Sequence, residues 1–262
     1  STPNWVIKKV YRALEALLFK RKQGWRRILF EIQRALLLTN IYVAVGAGAL
    51  CYACNKLQGI HQTFPYILIS MLYVQSMHIL NHLTDTRADR FNDPDRAEFY
   101  DRHKTLLAIS AMLSGGAGLI IAYNIGRFPF LALLIMSLLG LSYNLKIIPQ
   151  WLAGIKYRKL RDIPGSKTLL IAMAWGMVTA VLPPLSKFGT INWVNALVAL
   201  WAVGMVFVRT AFFDILDMQG DRLVGKETIP ILLGEKRSMR LLKIMLIVLT
   251  ATLVISSAFQ LI

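Results

Sequence analysis

Acidic residues are scarce in this chain, with 14 Asp and Glu against 30 Lys and Arg in 262 residues and a formal charge of +16. Where carboxylates do cluster, their position is therefore informative. Cysteine is scarcer still. Cys51 and Cys54 are the only two, too few for a disulfide framework. Their Cys-x-x-Cys lies inside an apolar run, where a pair at helical spacing reads as packing rather than as a redox or zinc site. Charged residues of either sign make up 17% of the chain and hydrophobic residues 56%, too few and too many for an ordinary soluble domain.

Apolar runs fall near 35–55, 64–84, 105–124, 128–146, 167–186, 192–213 and 241–261. Each is about 20 residues, long enough as a helix to cross roughly 30 Å of hydrocarbon. The fold read from this pattern is all-α: a polytopic transmembrane bundle of about seven spans. No segment reads as a cleaved signal peptide. Residues 1–34 form a separate segment ahead of the transmembrane domain at 35–262. In it Trp5, Val6, Val10, Leu14, Leu17, Leu18 and Phe19 alternate with Lys8, Lys9, Arg12, Lys20 and Arg21, the pattern of a basic amphipathic helix lying on a membrane surface. Gly24 is the expected end of that helix.

The positive charge is distributed by side. Nine Lys and Arg lie in 1–34, five in 87–104, six in 146–167 and six in 222–243, whereas only Lys56, Arg127 and Lys187 lie in the alternate connections. This is a positive-inside pattern and places the N-terminus in the cytoplasm. The basic excess suits anionic head groups and phosphorylated substrates, and its alternation argues against nucleic acid as partner. Nothing in the composition speaks to oligomeric state.

Five of the Asp residues fall in two short segments, 81–90 and 214–221. Asn81, Asp85 and Asp89 are spaced by four, and Asp214, Asp217 and Asp221 by three and four, so each set lies on one helical face. Carboxylates this close repel each other unless a cation sits among them. Hard oxygen donors suit magnesium, which shares its shell readily with phosphate oxygens. Both sets end an apolar run at a long basic connection on the cytoplasmic side. Connections near 85–104, 147–166 and 214–240 are expected to be long loops carrying the working face.

Six ligand-capable residues at two helix ends could hold one or two magnesium ions, with a diphosphate bridging them. Arg90, Arg96, Lys146, Arg222 and Lys226 are the cations placed to cover its remaining charge. The chemistry such a site suits is departure of diphosphate from an allylic carbon, with metal and cations stabilising the leaving group. The bundle would supply the dry cavity that an allylic cation and an isoprenoid tail require.

At these residues the chain resembles the UbiA superfamily of intramembrane prenyltransferases. The family's first motif reads Asn-Asp-x-x-Asp-x-x-x-Asp, followed by Arg-x-Asn-x-Pro-x-Arg. Here it is matched by Asn81, Asp85, Asp89, Arg90, Asn92, Pro94 and Arg96. His82 stands where the family often has Asp, and Ala97 where Pro often follows the Arg. The second motif resembles Asp-x-x-Asp-x-x-Gly-Asp-x-x-x-Gly-Lys-x-Thr-x-Pro, matched by Asp214, Asp217, Gly220, Asp221, Gly225, Lys226, Thr228 and Pro230. Tyr143 and Lys146 look like the family's Tyr and Lys after the fourth helix. Asp162 and Lys167 fall where relatives carry charged site residues.

The resemblance covers roughly 30–262 and implies magnesium as cofactor and a polyprenyl diphosphate as donor. It implies Asn81, Asp85, Asp214 and Asp221 as ligands, and Arg96, Lys146 and Tyr143 as diphosphate contacts. Together with the helical spacing of the acids, the metal set is Asn81, Asp85, Asp89, Asp214, Asp217 and Asp221. The diphosphate set is Arg90, Arg96, Tyr143, Lys146 and Lys226. Asp85, Asp221, Lys146 and Asp162 form the catalytic set. Family members usually have nine spans, of which this chain accounts for seven. The expected acceptor is an aromatic ring in lipid-quinone or related synthesis, with glycerol-phosphate lipids as the alternative. A UbiA-like terpene cyclase and a membrane transporter are the competing functions, although acids at helix ends rather than at the bilayer midplane disfavour transport. Arg209 lies inside a span and is expected to face the bundle interior, where it pairs with the second acidic cluster or snorkels to the cytoplasmic surface. His78 and His82 lie one turn apart, and His82 is read as a hydrogen-bonded helix-end histidine or as a ligand or base.

Overall fold

The computed structural model describes residues 24–61, 63–84, 86–142, 165–225 and 228–259. Among these residues the chain is helical throughout, with no strand. In chain order the helices are α1 (Gly24–Leu38), α2 (Ile41–Leu57), α3 (Phe64–Thr84), α4 (Thr86–Asn92), α5 (Pro94–Arg102), α6 (Lys104–Ile125) and α7 (Arg127–Ser142). They continue as α8 (Ser166–Gly176), α9 (Leu182–Phe188), α10 (Trp193–Leu216), α11 (Met218–Leu223), α12 (Ile229–Leu233) and α13 (Glu235–Ala258). All seven expected apolar segments are mainly helical over their described residues, the first of them broken at residues 39–40.

Four helical segments are long and apolar enough to cross a membrane on their own: Lys104–Ile125, Ser166–Phe188, Trp193–Leu216 and Glu235–Ala258. A fifth arises if Ile28–Leu38 and Ile41–Leu57, bent by 67°, count as one span. The seven expected spans are not all self-sufficient, for two reasons. α3 has the length, 21 residues, but carries Gln75, His78, Asn81 and His82. α7 is apolar but only 16 residues long. Outward faces bear large apolar side chains such as Met112, Leu200 and Ile247, the surface a lipid environment demands.

The first span does not run straight from residue 35. Asn40 is left-handed at φ 59° and separates α1 from α2. Asn tolerates that conformation better than most residues, and its side chain is used here. Asn40 is buried, and its Nδ2 donates to the Tyr100 hydroxyl at 3.2 Å. The backbone carbonyl of Thr39 at the bend accepts from Gln75 Nε2 at 2.7 Å. One polar residue of α3 thus holds the kink, which explains part of that helix's polarity. Most of the basic amphipathic segment, residues 1–23, lies outside the described residues. Gly24 begins a helix that continues past residue 34.

The core runs through the bundle centre, where Val43, Ala47, Ile69, Tyr73, Val74, Leu133, Trp175, Val178 and Val206 pack together. Small residues let helices approach closely, as membrane packing favours. A Cβ at Gly176 would meet Val203 Cγ2 at 2.3 Å, so α8 and α10 are in tight contact. Between α8 and α9 the segment Met177–Val181 widens into a π-helix. Pro183 and Pro184 follow at once; neither has an N–H, and each ring excludes an ordinary helical carbonyl four residues back. The carbonyl of Val178 accepts from Ser70 Oγ at 3.1 Å, which ties α3 to the irregular turn. At the opposite end of α10, Asn192 and Asn195 cap each other reciprocally, and Asn195 Nδ2 donates to Gln58 Oε1 at 2.8 Å.

Two of the three connections expected as long loops are folded. Residues 86–102 form α4 and α5, and residues 218–233 contribute α11 and α12. The third lies mostly outside the described residues.

Candidate active site at one end of the bundle

α3 delivers Asn81 and His82 in its final turns. His82 Nδ1 lies 2.8 Å from an Asp89 oxygen on α4, and its ring sits 5.4 Å from that of Tyr100 on α5. Burial pushes the Tyr100 phenol up to about 12, so it stays neutral while it accepts from Asn40. Asp93 caps α5, its Oδ1 accepting from the Arg96 N–H at 3.3 Å, with Pro94 in the first turn. Both choices suit a helix start, because the cap fills an orphan donor and proline removes another. The Arg96 side chain is largely buried beside the same aspartate. Its Nε lies 3.5 Å from Asp93 Oδ2 but is buried and out of hydrogen-bond alignment. Arg96 lies within electrostatic reach of His78 and Tyr100. Arg90 turns the other way and pairs with Asp101 at 3.0 Å on the exposed surface, so the structure does not bring it to the other predicted site residues.

The second motif continues the winding of α10. A turn at Asp217 separates α10 from α11, yet the Asp217 N–H donates to the Phe213 carbonyl at 2.9 Å and the Asp221 N–H to the Asp217 carbonyl at 3.0 Å. The i−4 pattern is kept, so Asp214, Asp217 and Asp221 retain a common side. Thr168 Oγ1 on α8 donates a short hydrogen bond to Asp214 Oδ2. Asp221 is buried. Burial, then Asp221, with Asp214 and Asp89 adding and Lys167 opposing, pushes the Asp217 carboxyl up to about 7.

The two motifs meet. A Cβ at Gly220 on α11 would lie 2.0 Å from Asn92 Oδ1 at the end of α4, so the Asn92 carboxamide occupies the place a side chain would fill. Beside this contact, a Cβ at Gly165 would meet Ile229 Cγ1 at 2.6 Å, which brings the start of α8 to α12. Asp89 of the first motif is close enough to act on Asp217 of the second. One end of the bundle thus gathers Asn81, Asp89, Asn92 and Arg96 with Lys167, Thr168, Asp214, Asp217 and Asp221.

Among the described residues no three His, Cys, Asp or Glu side chains stand together closely enough to cage a metal ion. The donor set fits magnesium in a different manner. That ion keeps several waters and binds through one or two carboxylates plus substrate phosphates. Burial is the main reason the Asp217 carboxyl is raised, and the repulsion from Asp221, Asp214 and Asp89 that adds to it is what a divalent cation relieves. Asp85, Tyr143, Lys146, Asp162 and Lys226 lie outside the described residues, and Arg222 is exposed.

Sequence reasoning missed Thr168, whose partner Asp214 is 46 residues away. A threonine one position after Lys167 carries no sequence signal of its own. Asn92 was legible as a motif residue, but its seat against Gly220 was not.

Fold and site together define a helical membrane protein whose acidic helix ends converge at one face. The profile of the UbiA prenyltransferase family matches residues 41–262, beginning at the first residue of α2. The chain belongs to that family. It is 30% identical over 167 residues to a protein of Halobacterium salinarum named digeranylgeranylglyceryl phosphate synthase, covering 61% of this chain and 52% of that relative. A protein of the same name from Thermococcus sibiricus is 28% identical over 198 residues, covering 75% of this chain and 65% of the relative. A third, from Natronomonas pharaonis, is 25% identical over 201 residues, covering 75% and 67%. The chain thus spans about half the length of the Halobacterium relative. No solved structure matches it.

Proposed function

We propose that this protein transfers a prenyl chain from a polyprenyl diphosphate to a lipid-borne glycerol-phosphate acceptor, with magnesium at the junction of its two acidic motifs. The observation that carries the reading is the seat of Asn92 against Gly220, which joins two acid-bearing helix ends that are far apart in sequence. The name shared by the relatives supports a glycerol-phosphate acceptor over the aromatic ring expected from the motifs alone. Membrane lipid is the medium for both substrates, and the distribution of Lys and Arg supports a cytoplasmic N-terminus and working face.

Asn81, Asp85, Asp89, Asp214, Asp217 and Asp221 would hold magnesium. When bound, the metal would neutralise charge on the diphosphate and so favour its departure. Thr168 fixes the orientation of Asp214, and Arg96 brings a half-buried cation to the same end. With Lys146, Tyr143 and Lys226 on the adjoining connections, these groups would grip the remaining phosphate oxygens. The allylic C–O bond breaks and its electron pair leaves with the diphosphate. The acceptor's hydroxyl oxygen forms a new bond to the same carbon and its proton passes to solvent. The apolar bundle excludes water, which otherwise captures the allylic cation.

The test uses the full chain in detergent with magnesium, a labelled prenyl diphosphate and a panel of glycerol-phosphate and aromatic acceptors. Transfer should depend on magnesium, and Asp221→Ala should lower turnover by roughly a thousandfold, the scale of a lost electrostatic group in a transition state. Product formed without any acceptor would identify a cyclase instead. Near-normal turnover of Asp221→Ala in saturating magnesium would overturn the two-motif site.

A further inference from the structure

Arg209 lies within α10, five residues before Asp214 and so about 7.5 Å deeper along the helix axis. Its guanidinium carbon is 5.6 Å from the Trp175 ring and 5.1 Å from the Phe213 ring. Among the described residues it makes no ion pair and no hydrogen bond. A cation held at this depth without an anion is costly, and aromatic faces offset only part of that cost. His78 on α3 faces the same region. Its ring meets Trp175 edge-on at 6.0 Å, its Nε2 is buried without a partner among the described residues, and it is within electrostatic reach of Arg209.

We propose that Arg209 and His78 form the seat for an anionic head group on the acceptor, a phosphate monoester or a carboxylate, one level deeper than the diphosphate. This rests on the prenyl-transfer reading above. A diphosphate held at Asp214, Asp217 and Asp221 directs its allylic carbon into the bundle. The acceptor must reach that carbon from a similar depth, and Arg209 stands there. Electrostatics then selects the acceptor's charge. An uncompensated guanidinium beside a developing allylic cation raises the barrier, whereas an anion bound to Arg209 cancels the repulsion. Contact with Trp175 and Phe213 uses the ring faces and leaves the guanidinium N–H donors for a two-point grip on an oxyanion.

The experiment compares wild type, Arg209→Gln, Arg209→Lys and His78→Ala as full chains in detergent at saturating magnesium, varying the acceptor at saturating prenyl diphosphate and, separately, the prenyl diphosphate at saturating acceptor. Acceptors are offered in pairs: a glycerol-phosphate ether lipid with its dephosphorylated alcohol, and hydroxybenzoate with its uncharged amide. Wild type should favour one charged member, and the pair that responds identifies the source of the anion. Arg209→Gln should raise KM for that acceptor by about thirtyfold or more, the scale of one lost buried charge contact. KM for the prenyl diphosphate should stay within about twofold, and Arg209→Lys should recover part of the loss. His78→Ala should weaken the same acceptor alone, which keeps the test decisive if an Arg209 variant fails to fold. Equal loss for both substrates, an unchanged acceptor KM, or a wild type indifferent to acceptor charge would overturn the seat. If wild type transfers to no acceptor, the transferase reading fails by itself. The seat is then decided by equilibrium binding of the phosphate lipid: loss of binding in Arg209→Gln upholds it, and unaltered binding overturns it.

Discussion

Replacing Gly220 with alanine tests the junction of the two motifs at a single atom. The added Cβ would stand 2.0 Å from Asn92 Oδ1 and 2.6 Å from its Cγ. Ordinary contact begins at about 3.4 Å, so the carboxamide must retreat by about 1.4 Å or α4 must move away from α11. Alanine gains up to ~1 kcal/mol of helix propensity over glycine, and overpacking costs ~1–3 kcal/mol. The net cost is therefore ~0–2 kcal/mol, and the thermal midpoint should fall by at most about 8 °C in a chain of this size. Catalysis is less forgiving, because a displacement of about 1 Å can cost roughly a hundredfold in rate. The expected signature is therefore at most a modestly lowered melt with about a hundredfold loss of magnesium-dependent transfer. Asn92→Ala in the same chain removes the obstructing group and should restore part of the activity. Wild-type turnover in Gly220→Ala would refute the reasoning. So would a double variant as impaired as Gly220→Ala when Asn92→Ala alone is active.

The raised carboxyl of Asp217 predicts a pH dependence. Its folded value of about 7 exceeds that of a free carboxyl, so the metal-free protein should lose stability as pH rises from about 4 to 7, where the folded state binds more protons than the unfolded one. Magnesium binds the ionised form. Its affinity should therefore fall below pH 7, and thermal melts should show stabilisation by magnesium growing from pH 6 to pH 8. Asp217→Asn should flatten both trends, and a wild-type melt insensitive to pH and magnesium across that range would refute the account. Cysteines introduced at Asp93, Tyr157 and Lys236 should react with an impermeant reagent only from the cytoplasmic side. Native Cys51 and Cys54 are buried and contribute little background, and labelling of any introduced site from the opposite face would reverse the orientation.

Hydrophobic runs fixed the helical class and the placement of the apolar segments, because burial in lipid imposes a length and a composition that are visible locally. The acidic spacings were legible for a similar reason: helical periodicity puts Asp214, Asp217 and Asp221 on one side whatever surrounds them. Local pattern could not say which faces meet. Arg90 and Arg96 are both motif cations in sequence, yet Arg96 is largely buried beside Asp93 while Arg90 pairs with Asp101 at the surface. The bend at Asn40 depends on Gln75 and Tyr100, neither of them a sequence neighbour. Arg209 reads only as a costly charge until the contact of Gly176 with Val203 sets α8 against α10 and Trp175 of α8 lies beside the guanidinium. Helix rotation and crossing are decided by such close contacts between small and large side chains, which join residues that no periodicity connects. For that reason the acids could be found in the chain, but their meeting at Asn92 and Gly220 could be found only in the fold.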